Sequence, residues 1–331
     1  AVLPADIDPL LIRDDNMVQV WRQPDGGRMH LWRPYFIRIR HWRTDGGDET
    51  LTIGGPDCND LLRRRGVAQR PGTSVSSKSQ PVDDMLKEIV LEAFSDGVNP
   101  SPDYGTRANN RLSIQPDETR GPIITMSFPW EKLLTYGGAG VLPALAEASR
   151  AEGFPLYFDI IPDDVTPERI TFQFVTYIGY PGQDQTDRVV FSLAANNMEN
   201  PEYIEDTTRA ENYIYAFGQG ETVDQAVEQV YDENRIAKSV WGRAEGFLDA
   251  SSQDDDAVAD AARSALTSRR PKKSFYAAPI STRDTTYGID WEWGDKVTAI
   301  YHGEFEAIIE SVAIEVVNQE EVLESRLRSE S

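Results

Sequence analysis

The chain has 331 residues, 40% of them hydrophobic, and carries 55 acidic against 33 basic side chains, a net charge of −22. This length allows a substantial core and two or three domains, while the negative charge disfavours nucleic acid binding along the outer surface. The single Cys58 excludes an internal disulfide, and the lack of a long apolar run or a basic-then-apolar N-terminus predicts a soluble protein with no membrane insertion.

The N-terminal part predicts a three-stranded antiparallel meander followed by a short helix. Apolar and polar residues alternate along the strands, and glycine-rich turns join them. Asp57 is the expected N-cap of the helix. The predicted strands cover residues 16–23, 29–43 and 49–53, and the helix covers residues 58–65.

The middle of the chain predicts two helices and several strands. After Pro81, apolar residues recur at helical spacing, and Asp83 and Asp84 suit the positive end of the helix dipole. A second helix ends at Gly153. The predicted elements are a loop at 69–80, helices at 81–93 and 141–152, a turn-rich excursion at 95–121, a helical turn at 130–134, and strands at 123–128, 154–161 and 169–177.

The C-terminal part predicts strands, one helix and a terminal hairpin. Residues 222–240 combine a capping box with strand-like alternation, and we interpret their centre as a strand. The hairpin turns at His302–Gly303, where glycine tolerates a positive φ, and the charged tail beyond it is expected to fray or to form an exposed helix. The other predicted strands cover 189–193, 202–206, 211–218, 296–301 and 305–317, and the helix covers 254–268.

No motif predicts an enzyme, a cofactor or a metal site. The word Gly46-Gly-Asp-Glu-Thr50 resembles the signature loop of diguanylate cyclases but lacks that family's phosphate-binding context, so we interpret it as a hairpin turn. Asp254–Asp256 lacks the ligand spacing of a calcium loop. Cys58 is expected to be a small buried residue rather than a nucleophile.

Arginines concentrate near the N-terminus, at positions 33, 38, 40 and 43 and at 63–65. These arginines allow two interpretations. In the first, they lie on solvated strand faces and at a helix end. In the second, they form a basic patch that pairs with an acidic partner or lines a lumen through which DNA passes. The total charge favours the first interpretation.

Four short motifs occur in the same order as in a known family: Ile53-Gly-Gly55, Val190-Phe-Ser192, Gly242-Arg-Ala-Glu245 and the run from Tyr287 to Val297. Together they resemble the tail hub, or minor tail, proteins of long non-contractile-tailed phages, which are related to the baseplate hubs of contractile phages. The matching stretches span residues 17–317. The family-signature residues, for which the resemblance implies structural roles, are Gly54, Phe191, Ser192, Gly242, Arg243, Glu245, Tyr287, Gly288, Asp290, Gly294, Asp295 and Val297.

The resemblance implies an α+β, mainly β fold, with several antiparallel modules shaped as tube-like split barrels and a few covering helices. It implies tube-like domains formed by residues 1–66 with 279–317. The expected remainder is an α+β insert at 67–187, a β-rich domain with a helix at 188–278, and a charged tail at 318–331.

The function implied is that of a structural virion subunit without enzymatic activity. It would form a hub ring at the tail tip, assembled in the host cytoplasm, that joins the tail tube to the tip and receptor-binding apparatus. The implied partners are copies of itself in a homotrimer, the distal tail protein and tail tube, the tip or spike and receptor-binding proteins, and, as a further candidate, the tape measure protein. DNA would only pass through the lumen.

An alternative of a different class is a glycan-binding or glycan-degrading tail-tip protein. Trp291 and Trp293 could then stack on sugars. Two tryptophans flanking one glutamate at the entry to a strand are more often core anchors or interface residues.

Overall fold

Strands dominate the structure, a computed structural model, with 47% of residues in strands and 15% in helices. The strands form several sheets, including a half-barrel, and few helices cover them, so the predicted α+β, mainly β fold is confirmed. The structure describes residues 2–4, 7–24, 27–67, 75–95, 108–129, 132–135, 140–166, 169–220, 225–251, 255–317 and 320–330.

The chain divides into two units, residues 1–181 and residues 182–331. The domain boundaries predicted at residues 66, 187 and 278 remain predictions. No helix in the described ranges is long and apolar enough to cross a membrane.

The first unit combines small sheets with three helices. Its strands are β1 (Val2–Pro4), β2 (Met17–Arg22), β3 (His30–Phe36), β4 (Ile39–Asp45), β5 (Asp48–Gly54), β6 (Val75–Pro81), β7 (Leu112–Ile114), β8 (Ile123–Pro129), β9 (Leu156–Val165) and β10 (Ile170–Ile178). Its helices are α1 (Asp60–Arg63), α2 (Val82–Ala93) and α3 (Val141–Ala151). The strand orders are β1-β5-β4, β2-β3, β6-β8 and β7-β10-β9, and among these described strands only β7 with β10 is a parallel pair.

The predicted meander is wrong in its connectivity, because the single strand expected at 29–43 is two strands in different sheets. Ile37 donates its N–H to the carbonyl of Asn16 at 2.8 Å, whereas Arg38 donates to Gly54 at 2.9 Å. The chain therefore leaves the β2-β3 sheet and joins β5 between two consecutive residues. The alternating pattern continues through this point, so the sequence shows no break there.

The predicted loop at 69–80 is wrong for its second half, which forms β6. The buried side chains of β6 are polar, Ser76 and Lys78, and therefore carry no apolar alternation. Lys78 Nζ pairs with Glu88 at 2.8 Å and Glu92 at 2.9 Å on α2. Residues 68–74 and 96–107 lie outside the described part of the chain, as do Trp130 and Glu131 of the predicted helical turn.

The helix predicted after Pro81 is confirmed as α2, and its apolar stripe forms the core of the first unit. Met85, Leu86, Ile89 and Val90 are buried there. They belong to the same core cluster as residues of α3 and of β9 and β10.

The N-cap expected for α1, Asp57, is wrong. The helix begins after Asn59, and the Asp57 carboxylate accepts the Asn59 N–H at 3.1 Å instead.

A buried ionic network joins α2 to β10. The fully buried Asp83 carboxylate accepts hydrogen bonds from Lys87 at 3.0 Å, from Arg120 at 2.8 Å and from the Thr176 hydroxyl at 2.5 Å. Burial alone would raise the pKa of Asp83, but these hydrogen bonds outweigh it and hold the pKa below its ordinary value.

The second unit contains two sheets. Its strands are β11 (Val190–Ser192), β12 (Met198–Asp206), β13 (Tyr213–Phe217), β14 (Val227–Tyr231), β15 (Glu245–Asp249), β16 (Lys272–Pro279), β17 (Lys296–Ile300), β18 (Glu304–Val317) and β19 (Glu320–Glu330). Its helices are α4 (Glu233–Ile236) and α5 (Asp255–Ser268). The strand orders are β11-β17-β18-β19-β16-β12 and β14-β13-β15.

The expected fraying tail is wrong, because β19 is an inner strand of the six-stranded sheet. It pairs with β18 on one side and with β16 on the other. Residues 222–240, whose pattern was ambiguous, contain the strand β14 and the short helix α4. The interpretation of their centre as a strand is therefore confirmed for 227–231. Strands β15 and β16 were not predicted.

The terminal hairpin is confirmed as β17 and β18. Its turn differs in detail, since the residue with a positive φ is His302, at 50°. A histidine is tolerated there at some cost in backbone strain.

Placing a charge at Ile309 is expected to destabilise the second unit by several kcal/mol, because this side chain of β18 is fully buried. Ile309→Asp should therefore be insoluble or unfolded. Val312→Asp, at a half-buried site, should lose less free energy of unfolding. Val316→Asp is the matched control on the same strand, where the side chain is exposed. Chemical unfolding of the three variants measures this order, and a stable Ile309→Asp protein would contradict the burial.

Candidate functional site

Three of the twelve signature residues lie in the core beneath the six-stranded sheet. Phe191 packs edge-on against Trp291 with ring centroids 5.4 Å apart, and Tyr287 packs on the same indole at 4.9 Å. Val297 is fully buried beside them. Trp291 is itself buried and donates its indole N–H to the Thr285 carbonyl at 3.0 Å. It is a core anchor and cannot stack on a sugar.

Four other signature residues shape the chain before β17. Gly288 and Gly294 have φ values of 84° and 86°, which favour glycine. The buried Asp295 carboxylate accepts the backbone N–H of Gln183 at 2.7 Å and of Glu292 at 2.8 Å. Asp290 accepts the Thr286 N–H at 2.7 Å. These side chains satisfy backbone donors, which is a structural role.

Gly182 also belongs to this arrangement, and no sequence pattern predicts its role. A Cβ on Gly182 would lie 2.3 Å from Asp295 Oδ1. Ser192 is also structural, since its hydroxyl accepts the Ala195 N–H at 3.1 Å. Gly54 is the one signature residue in the first unit, where it ends β5 and pairs with Ile39.

The remaining three signature residues, Gly242, Arg243 and Glu245, lie at a second site. Gly242 closes the turn 239–242, and a Cβ there would lie 2.1 Å from the Ile236 carbonyl oxygen. The buried Asn212 holds this turn, because its amide donates to the Gly242 carbonyl at 2.6 Å and accepts the Ala244 N–H at 2.9 Å. The turn presents Val240 and Trp241, which are 94% and 90% exposed.

Next to this turn, one face of the β14-β13-β15 sheet is covered with aromatic rings. The alternation of β13 sends Ile214 and Ala216 into the core cluster that includes α5 and sends its aromatic residues to the opposite face. We call this surface the aromatic face. Its residues are Tyr213, Tyr215, Phe217, Tyr231 and Phe247.

The rings of the aromatic face contact one another in a continuous series. The Tyr213 and Tyr231 rings are nearly parallel, with centroids 5.2 Å apart. Phe247 lies 5.7 Å from Tyr215 and 6.2 Å from Phe217, again with small interplanar angles. Such contacts stabilise a fixed arrangement of rings.

Arg243 ties the aromatic face to the turn. Its guanidinium lies 3.9 Å from the centroid of Tyr213, donates from Nε to Glu245 at 2.6 Å and from Nη2 to the Tyr215 hydroxyl at 2.8 Å. The hydrogen bond with Glu245 raises the pKa of Arg243. Arg243 and Glu245 therefore neutralise each other beside the rings of the aromatic face.

Several of the N-terminal arginines that the sequence singled out form ion pairs inside the first unit. Arg33 Nη2 lies 2.7 Å from Asp159 and 2.9 Å from Asp57. Arg38 pairs with Asp15, and Arg40 pairs with Asp14. A role in lining a lumen remains a prediction.

The described part of the chain offers neither a reactive cysteine nor a metal-binding cluster. Burial raises the pKa of Cys58 to about 12, and its thiol donates to the Ile160 carbonyl at 2.8 Å, so it is not a nucleophile at neutral pH. Over the ranges described, no group of three or more His, Cys, Asp and Glu side chains could hold a metal ion.

The comparison with protein families gives one match. The model of the family described as Siphovirus ReqiPepy6 Gp37-like protein matches residues 28–324. No curated protein matches the sequence.

Solved structures of tail proteins are similar to the chain. The 43 kDa tail protein of prophage MuSo2 from Shewanella oneidensis is 11% identical, with a TM-score of 0.53, over 99% of this chain and 88% of that one. The tail protein from Neisseria meningitidis MC58 is 16% identical, with a TM-score of 0.47, over 96% and 84%. Prophage tail protein gp18 from Listeria monocytogenes EGD-e is 12% identical, with a TM-score of 0.41, over 91% and 78%. The first of these similarities supports the fold.

Proposed function

The chain belongs to the Siphovirus ReqiPepy6 Gp37-like protein family, and from this premise we propose that it is a hub subunit of the tail tip. Its family makes it a phage tail protein of the siphovirus type and a component of the virion. The proposed hub is a homotrimeric ring that joins the tail tube and distal tail protein to the tip and receptor-binding apparatus. The tape measure protein is a further candidate partner, and DNA would pass through the lumen only in transit.

The observation that carries this proposal is the open six-stranded sheet of the second unit. Among the described strands, β11 and β12 each pair on one side only. Unpaired strand edges promote uncontrolled association, so proteins cover them or blunt them with charge. A closed ring of identical copies provides such cover, and Glu202 and Glu205 on β12 blunt the edge until the ring forms.

Labelling the virion tests the position. Gold-conjugated antibody against the chain should bind only at the end of the tail that is distal to the capsid. Quantitative mass spectrometry of purified particles should find three copies per virion, because a hub is a single ring. Label along the whole tail, or copy numbers in the range of a tube subunit, would contradict the proposal.

We expect the purified protein to have no hydrolase activity, because neither the sequence nor the described residues provide a catalytic arrangement. Incubation with host cell-wall polysaccharide and peptidoglycan, followed by assay of released sugars, measures this. Sugar release that survives repurification and disappears on replacing one carboxylate would show that the chain is an enzyme.

A further inference from the structure

The aromatic face and the turn beside it have the composition of a protein interface. Phe247 and Tyr231 are 64% and 56% exposed, and Trp241 is almost completely so. Exposed apolar patches with a polar rim mark interaction sites. Tyr, Trp, Phe and Arg are the residues enriched at the centres of protein interfaces.

This surface is also held in place before any partner binds. Arg243 fixes the two tyrosine rings of β13, and Asn212 fixes the turn that carries Trp241. Little side-chain freedom is then lost on association, so the contact area converts more fully into affinity.

The charge of the second unit restricts the partner. Residues 182–331 carry 30 acidic and 14 basic side chains, a net charge of −16, whereas residues 1–181 carry 25 and 19, a net charge of −6. Two aromatic faces placed against each other would bring two strongly acidic units together, and a nucleic acid would be repelled. The partner surface must be less acidic and apolar at its centre.

The first unit has a surface of this kind on β4. Residues 13–65 carry ten basic and eight acidic side chains, the reverse of the balance elsewhere. Trp42 is 50% exposed on β4, and Arg40, two residues earlier on the same face of the strand, forms an ion pair with Asp14. In the order β1-β5-β4, this strand is one of the two outer strands of its sheet.

We propose that the aromatic face of one copy receives the β4 strand of the next copy. Because the two surfaces differ, the contact is head-to-tail, and a head-to-tail contact that closes generates a ring. The inference rests on the proposed hub function and names one contact between its subunits, which is separate from the cover of the β11 and β12 edges.

The test uses two variants of the full chain and a matched control. The face variant is Trp241→Ser with Phe247→Ser, and the strand variant is Trp42→Ser. The control is Trp21→Ser on β2, since Trp21 is 50% exposed, as is Trp42, but is not on β4. All four proteins are first compared by circular dichroism, so that only folded variants enter the comparison.

Self-association is measured by sedimentation equilibrium at about 0.15 M salt, where repulsion between acidic surfaces is screened beyond about 8 Å. We expect the face and strand variants each to lose at least about tenfold in association constant, and the control to match the wild type. Mixing the face variant with the strand variant should give dimers that neither forms alone, because one intact face and one intact strand remain.

If both the face variant and the strand variant still form trimers, the assignment of surfaces is wrong, although the ring itself is not contradicted. A wild-type chain that is monomeric at about 0.1 mM would also overturn the assignment, since a Kd above that concentration is too weak for this contact. Retention of the wild type but not the face variant on immobilised chitin, with association unchanged, would make the face a glycan site instead.

Discussion

Ending the chain at Val317 is expected to unfold the second unit, because this removes β19 from the middle of its six-stranded sheet. β19 pairs with β18 along most of its length, and its last residues pair with β16. Its Leu327 is fully buried opposite Ile309. Loss of one such leucine side chain alone costs about 2–5 kcal/mol, and the deletion also leaves two inner strands with open edges.

Limited proteolysis and thermal denaturation measure this loss. We expect the truncated chain to be cleaved throughout residues 182–317 and to lack the melting transition of the second unit. Glu324→Ala, an exposed site on the same strand, is the control and should melt like the wild type. A truncated chain that keeps the wild-type transition would show that β19 adds nothing to the sheet.

The local pattern of β19 could not predict this strand. Only Val322, Leu323 and Leu327 are apolar in a run otherwise made of charged residues and serine. The strand is stabilised by groups distant in the sequence, such as Glu310, which lies 2.7 Å from Arg328 and 3.6 Å from Arg326. Cross-strand ion pairs of this kind depend on register, which composition does not reveal.

Replacing Asp83 with alanine is expected to destabilise the first unit by about 3–5 kcal/mol, because it leaves the buried Lys87 ammonium without its carboxylate. Lys87→Met should cost less, since Asp83 would keep Arg120 and Thr176. Urea unfolding of both variants measures the order. Glu147→Gln, at an exposed position of α3, is the control. A larger loss for Lys87→Met than for Asp83→Ala would contradict Asp83 as the centre of the network.

The same network predicts a dependence on pH. Since the pKa of Asp83 is lowered in the folded state, its contribution is present above the ordinary carboxyl pKa of 3.8 and is lost as pH falls through the lower folded value. The free energy of unfolding of the wild type should therefore fall below about pH 4. The fall should be smaller in Asp83→Asn. Parallel curves for the two proteins would exclude Asp83 as a source of the acid sensitivity.

The sequence predicted elements whose signal is local. The apolar stripe of α2 and the apolar arms of the β17-β18 hairpin both follow regular spacing, and both are present. It also predicted β13, whose Tyr-Ile-Tyr-Ala-Phe run alternates.

Regular spacing in the sequence could not predict the aromatic face. Phe247 joins its rings only because β13 pairs in parallel with β15, whose first residue, Glu245, lies 28 residues after Phe217. Phe247 and Trp241 have no local pattern that marks them as exposed. Only long-range strand pairing shows that Arg243 and Glu245 lie beside the tyrosines.

Cryo-electron microscopy of the intact tail tests the central proposal most directly. We expect a single ring at the tip in which three copies of the chain are related by a threefold axis, with β4 of each copy against the aromatic face of the next. Because three copies carry a net charge of −66, three times −22, the ring should be most stable in the assembled tail and at moderate salt. A twofold dimer, or the absence of any threefold arrangement in particles that contain the chain, would contradict the hub assignment.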